Sequence, residues 1–337
     1  MNRMVAKAEA VDFESRGRRD YLVSLEHPTL WGAYLIPVTV MVGPQVRPGR
    51  GLVATGSTHG NEYEGPVAIK HLVREIKSED VLGRIILIPV LNAVAFKAGR
   101  RDSPDDGVNL NRAFPGDARG SITSRIADFL TSRVFPHVHV VLDLHAGGKV
   151  ARFPQLASMH DVSDAAQKRE MLETARGFGC RFLNFYQNST PGLLTSTAEN
   201  LGKITVGGEF GWGEALQAEG VSMCKQGVLT AAVRHEQLRG PAPANRHFKE
   251  QVVVDTADPS STSLAAFDGH FEPCAALGQK VARGERLAWL HDFGRIDDAP
   301  LEIVAPHDGY VICQAWGARV FAGQVISQIG RVVEQVP

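Results

Sequence analysis

Apolar and polar positions alternate along the first two-thirds of the chain in two distinct periods. Residues 51–55 form a short apolar run that predicts a strand. Residues 63–76 follow, with Val67, Ile69, Leu72, Val73 and Ile76 at roughly helical spacing, and predict a helix. The near-continuous aliphatic run at 84–90 predicts a second strand, covered on both faces. The same reading predicts a helix over 121–134, a strand over 138–144 and a helix over 165–178 that ends at Gly179. A short strand at 204–206 then runs into Gly207-Gly208-Glu209-Phe210-Gly211, and a helix is expected over 221–238. Strands alternating with helices predict a layered α/β domain.

Between the second and third strands, residues 91–120 are polar and broken by Ser103-Pro104, Asp106-Gly107 and Pro115-Gly116. A connection this long without structure of its own tends to be functional. Composition shifts at residues 239–244, a proline- and alanine-rich linker. Beyond it lie short β-like runs (251–255, 287–290, 301–304, 309–313, 324–329) separated by glycine-bearing turns. Two domains are therefore expected: a catalytic unit over 1–245 and a small all-β unit over 246–337.

The composition is that of an ordinary globular protein, 44% hydrophobic and 22% charged. The formal net charge of -1 favours neither nucleic acid nor an acidic membrane as partner. No window nears the roughly 20 apolar residues of a membrane span, and residues 1–20 lack the apolar run of a signal peptide. Cys180, Cys224, Cys274 and Cys313 show no CxxC spacing and are expected as buried free thiols. A cytoplasmic protein is the expectation; its state stays open between monomer and homo-oligomer.

Candidate chemistry sits where strands end. His59 and Glu62 lie three apart in Gly56-Ser57-Thr58-His59-Gly60-Asn61-Glu62, between a strand and a helix. His145 closes the strand Val138-His139-Val140-Val141-Leu142-Asp143-Leu144-His145. Two imidazoles and a carboxylate suit a catalytic zinc site with one position left for water, and open α/β sheets collect such sites at strand carboxyl ends. Asp143 either orients a ligand imidazole or is buried as a structural hydrogen-bonding group. Hydrolysis also needs a proton shuttle. Glu209, flanked by Gly207, Gly208 and Gly211, is the candidate, since small neighbours leave substrate room. The loop at 100–116 carries Arg100-Arg101-Asp102 and Asn109-Leu110-Asn111-Arg112-Ala113-Phe114-Pro115-Gly116. An Asn-Arg pair there can grip a carboxylate, and a separate Arg can stabilise an oxyanion.

Together, the His59–Glu62 segment, the Asn109–Gly116 segment, Asp143-Leu144-His145 and Gly207–Gly211 resemble the succinylglutamate desuccinylase/aspartoacylase family, over about residues 45 to 240. The resemblance implies the zinc carboxypeptidase-like fold, a mixed central sheet with helices on both faces. It implies one Zn2+ per chain on His59, Glu62 and His145, and Glu209 as general base and acid. Asn111 and Arg112, with Asn109, would bind substrate, and Arg101 would polarise the scissile carbonyl, with Arg100 competing for that role. The implied activity is deacylation of a small N-acyl amino acid, N-acetyl- or N-succinyl-type. The alternatives are a zinc carboxypeptidase acting on peptides and a non-catalytic ligand-binding relative. Chain length, the Asn109–Gly116 motif and the β unit look like the branch of N-acetyl-diaminobutyrate deacetylases.

Gly269, Pro273, Gly278, Val281, Gly284 and Ala305-Pro306-His307-Asp308-Gly309 resemble the half-motifs of a lipoyl/biotinyl hammerhead. The last lysine is Lys280, so no acceptor lies between the halves, and the expected role is structural: a pocket wall or gate, or support for an interface.

Overall fold

The computed structural model describes residues 4–27, 31–187, 190–248 and 250–336. Three parallel strands form its centre. Gly51–Gly56 lies beside Val138–His145, which lies beside Ile204–Glu209, so the carboxyl ends of all three stand together. Arg84–Ile88 extends the sheet in parallel on one side. On the other, Leu156–His160 runs antiparallel to Ile204–Glu209 and parallel to Phe182–Tyr186.

Alternation along these strands builds two cores. Leu52, Ala54, Ile85, Leu87, Val140 and Leu142 face the helices Glu64–Glu75, Ala165–Arg176 and Ala218–Arg234. Val53, Ile86, Ile88 and Val141 face the opposite layer, with Ile122, Ile126, Leu194 and Ala198. The sheet is thus covered on both faces, which is why its strands read as continuous aliphatic runs.

Two long strands precede this centre, Gly17–Glu26 and Ala33–Val42, paired antiparallel. The hydrophobic pattern does not reveal them. Pro37 breaks the second, but it sits where the sheet tolerates it: Arg84–Ile88 pairs with the strand only over Thr39 to Val42, so Pro37 is bonded to one neighbour. Residues 91–120 are more structured than expected. A short helix, Ala93–Ala98, begins at Asn92, whose Oδ1 accepts from Ala95 N at 3.2 Å, and ends at Gly99 with φ 59°. A single 3-10 turn, Leu110–Arg112, follows. The helix expected over 121–134 is α only for Ile122–Asp128, then widens into a π-helical turn over Phe129–Val134.

Beyond the linker, Gln251–Asp255 joins the main sheet parallel to Phe182–Tyr186. The last strand, Val325–Val336, pairs with Gln251–Asp255 towards its far end and with Thr262–Leu264 and Gly309–Ala315 nearer its start. A separate four-stranded antiparallel sheet carries Leu301–Val304, Arg286–His291, Gly269–Pro273 and Arg319–Val320. Among the described residues, no helix is long and apolar enough to cross a membrane. All four cysteines are free; Cys180, Cys224 and Cys313 are buried, whereas Cys274 is exposed, contrary to the expectation for it.

Candidate active site

His59 and Glu62 follow the carboxyl end of Gly51–Gly56. Ser57 takes a left-handed φ of 56° there, a strained turn for a residue with a side chain. Gly60 is required next, because a Cβ would overlap the Ala95 backbone on which the loop rests. His145 ends the neighbouring strand, and Glu209, its register partner, ends the one after. Four residues spread over 151 positions of sequence therefore meet at one edge.

Glu62 is the hub. Its Oε1 accepts from His59 Nδ1 at 2.8 Å and from Arg101 Nη1 at 3.1 Å; its Oε2 accepts from His145 Nδ1 at 2.9 Å and from Ala146 N at 3.0 Å. Both imidazoles turn the same nitrogen, Nδ1, inward. Their outer nitrogens are fixed by side-chain oxygens: His59 Nε2 by Asn109 Oδ1 at 3.1 Å, and His145 Nε2 by Asp143 Oδ2 at 2.7 Å. Asp143 Oδ1 accepts in turn from Thr55 and Thr58 Oγ1, at 3.0 and 2.7 Å. Both sequence readings of Asp143 thus hold together: it is fully buried and it orients His145.

The charges follow from this geometry. Burial opposes ionisation of Glu62, but His59 and His145 outweigh it, and its pKa falls. Burial would also lower His145; Asp143 and Glu62 reverse that and hold it well above the ordinary histidine value. Burial lowers His59 despite Glu62. Glu209 goes the other way. Desolvation first, then the Glu62 charge, push its carboxyl up to about 8, and its Oε2 is buried with no partner among the described residues.

Ligand atoms of His59, Glu62 and His145 lie within 4.8 Å of one another. Two nitrogens and a carboxylate, held from outside by an amide oxygen and a second carboxylate, form a donor set that fits a divalent cation such as zinc. Protons on the two Nδ1 atoms occupy the inter-ligand space, and a metal would replace them.

These groups open onto a cavity of about 320 Å³ lined by His59, His145, Glu209, Arg101, Asn111 and Arg112 among others. The structure brings Arg101 to the site and leaves Arg100 exposed and outside it. Asn111 reaches the cavity while its Oδ1 accepts from Leu194 N at 2.9 Å, and Arg112 Nη1 donates to the Asn111 carbonyl at 2.5 Å. Asn109, expected to bind substrate, does not line the cavity; it holds His59 and accepts from Asn111 N at 2.9 Å. Of the expected glycines, Gly207 and Gly208 line the cavity. Gly211 answers a different need, since a Cβ there would overlap the buried Glu64 carboxylate, which accepts from Gln217 N at 3.0 Å. Polar lining from Asn184, Tyr186 and Gln187, at one strand end, and from Thr256 and Gln328 carries no motif, because three distant segments contribute it.

Comparison with known proteins gives a consistent family. The family model described as the succinylglutamate desuccinylase/aspartoacylase catalytic domain matches residues 48–234. The chain is 36% identical over 332 residues to the N-alpha-acetyl-L-2,4-diaminobutyric acid deacetylase of Halomonas elongata, covering 97% of this chain and 95% of that one. Among solved structures, the product-bound ectoine utilization protein EutE (DoeB) from Ruegeria pomeroyi is similar with TM-score 0.87 and 30% identity, over 95% of this chain and 97% of that one. A succinylglutamate desuccinylase/aspartoacylase from Rhodobacter sphaeroides is similar with TM-score 0.88 and 29% identity, over 96% and 98%.

Proposed function

The chain belongs to the succinylglutamate desuccinylase/aspartoacylase family and is an amidohydrolase of N-acyl amino acids; from that premise we propose a zinc-dependent deacetylase whose substrate is an N-acetylated diamino acid of the diaminobutyrate type. The observation that carries the metal assignment is the convergence of His59 Nδ1 and His145 Nδ1 on the two oxygens of Glu62. The full-length likeness to a diaminobutyric acid deacetylase supports the substrate.

His59, Glu62 and His145 are the ligands of one zinc ion. Bound there, the ion would supply Lewis-acid polarisation of the acyl carbonyl and would acidify the attacking water. Asn111 and Arg112 bind the substrate carboxylate, and Arg101, already directed at Glu62, adds positive charge where the carbonyl oxygen becomes an anion. Glu209 moves the proton. Its unpartnered Oε2 takes a proton from the attacking water as the new C–O bond forms. It then delivers that proton to the amide nitrogen as the C–N bond breaks, releasing acetic acid and the amine. Desolvation and the Glu62 charge hold this carboxyl up near 8, and a cation bound beside it would lower it, favouring the carboxylate that accepts the proton.

Residues 246–337 serve as a second unit that walls the cavity, a reading supported by Thr256 and Gln328 among its lining. Free, mostly buried thiols support a reducing, cytoplasmic compartment. The deciding experiment is a screen of zinc-loaded protein against acetyl, succinyl and formyl amino acids. Highest kcat/KM on N-alpha-acetyl-2,4-diaminobutyrate is expected; release of C-terminal residues from peptides, with no deacylation, would replace this reading by a carboxypeptidase.

A further inference from the structure

One wall of the catalytic cavity takes no part in the proton transfer. Gln187, just past Phe182–Tyr186, and Gln328, on Val325–Val336, both line it. Each has its amide nitrogen engaged. Gln187 Nε2 donates to the Asp161 carbonyl at 2.8 Å, and since a backbone carbonyl can only accept, the orientation of that carboxamide is fixed. Gln328 Nε2 lies 3.0 Å from the hydroxyl of Thr262, its cross-strand partner. Among the described residues, none donates to the Oε1 of either glutamine.

Two neighbouring polar groups and both arginines of the lining are engaged elsewhere. Asn184 Nδ2 and Thr256 Oγ1 bond to each other at 3.1 Å, both buried. Of the two arginines in the lining, Arg101 is engaged by Glu62 and Arg112 stands beside Asn111. The two glutamine oxygens are therefore open acceptors, and the lining holds no lysine or arginine besides Arg101 and Arg112. A second carboxylate set against those two oxygens would lose hydration and meet like partial charge. An ammonium group, with three N–H donors, is the complementary partner. Leu156 and Phe153 add apolar surface for a short methylene stem.

We propose that Gln187 and Gln328 form an acceptor pair that binds a side-chain ammonium group of the substrate amino acid, so that the C-terminal segment reads the substrate's side chain. The inference deepens the deacetylase reading and rests on it. It also gives the C-terminal unit a chemical task, through a residue on its last strand.

The test compares two substrates that differ by that amine, N-alpha-acetyl-2,4-diaminobutyrate and N-acetyl-2-aminobutyrate, on zinc-loaded wild type and on the Gln187→Leu, Gln328→Leu and Gln328→Glu variants. Calorimetric binding of the free products, 2,4-diaminobutyrate and 2-aminobutyrate, gives a readout independent of turnover. Wild type should prefer the amine-bearing substrate and product by at least about tenfold. Each Leu variant should lose about tenfold of that ratio, chiefly through KM. Gln328→Glu, close in shape and carrying a charge, should keep or raise it. A ratio unchanged in both Leu variants, or equally depressed in Gln328→Glu, would overturn the acceptor pair and leave the deacetylase intact. A wild type that deacylates no acyl amino acid would remove the deacetylase reading and this inference with it.

Discussion

Asp143 and His145 stand two residues apart on one strand, so they share a face, and Asp143 Oδ2 accepts from His145 Nε2 at 2.7 Å. The strand's own period delivers the carboxylate to the outer nitrogen and leaves Nδ1 free to face Glu62. Asn109 does the same for His59 from a different segment. The cluster is therefore preorganised through its supports.

Those supports should be measurable. Asp143→Asn removes the charge while keeping the shape, and Asn109→Leu removes the acceptor at His59. Each is expected to weaken zinc affinity or kcat/KM by about 10–100-fold, with the three ligands untouched. Competition with a fluorescent chelator measures the metal constant. Wild-type affinity and turnover in both variants would show that the outer contacts are incidental.

Glu209→Gln retains the volume and one oxygen but cannot accept and return a proton. The variant should bind one zinc per chain as wild type does, and lose about 10²–10⁴-fold in kcat. Metal content and steady-state rates, measured on one preparation, separate the two effects. Near-normal turnover would remove Glu209 from the proton path.

Metal uptake should release protons. Asp143 and Glu62, against the effect of burial, hold His145 well above 6.5, so its proton is held more tightly than that of an ordinary imidazolium. A ligand nitrogen must be deprotonated, so zinc affinity should rise with pH up to that raised pKa and level off above it. The sign for the metal-free fold is opposite. A raised folded-state pKa contributes stability that is fully present below the unfolded value near 6.5 and is lost as pH climbs through the folded one. Calorimetry in buffers of different ionisation enthalpy counts the protons released; affinity flat from about pH 6 to 8 would contradict the assignment.

Gly211→Ala would set a methyl against the buried carboxylate of Glu64. The expected cost is about 1–3 kcal/mol, read as a lower Tm on thermal unfolding. An unchanged Tm would mean that the loop after Glu209 shifts freely and does not fix its position.

The site was largely legible because its chemistry is local to strand ends. His59 and Glu62 lie three apart, and Asp143-Leu144-His145 shows its alternation in three letters. The central strands were legible too, since burial on both faces leaves unbroken aliphatic runs. Pro37 masked a long strand that the hydrogen-bond pattern accommodates at a half-paired position. The support given by Asn109, and the wall formed by Gln187 and Gln328, depend on which distant segments the fold brings together. No period or spacing encodes such contacts.

The central claim is that one divalent ion is shared by His59, Glu62 and His145. X-ray absorption at the zinc edge, on protein loaded to measured stoichiometry, addresses it most directly. The account predicts one zinc per chain in a shell of nitrogen and oxygen that includes two imidazoles, lost in His145→Ala. A sulfur-containing shell, or full zinc binding in that variant, would contradict it.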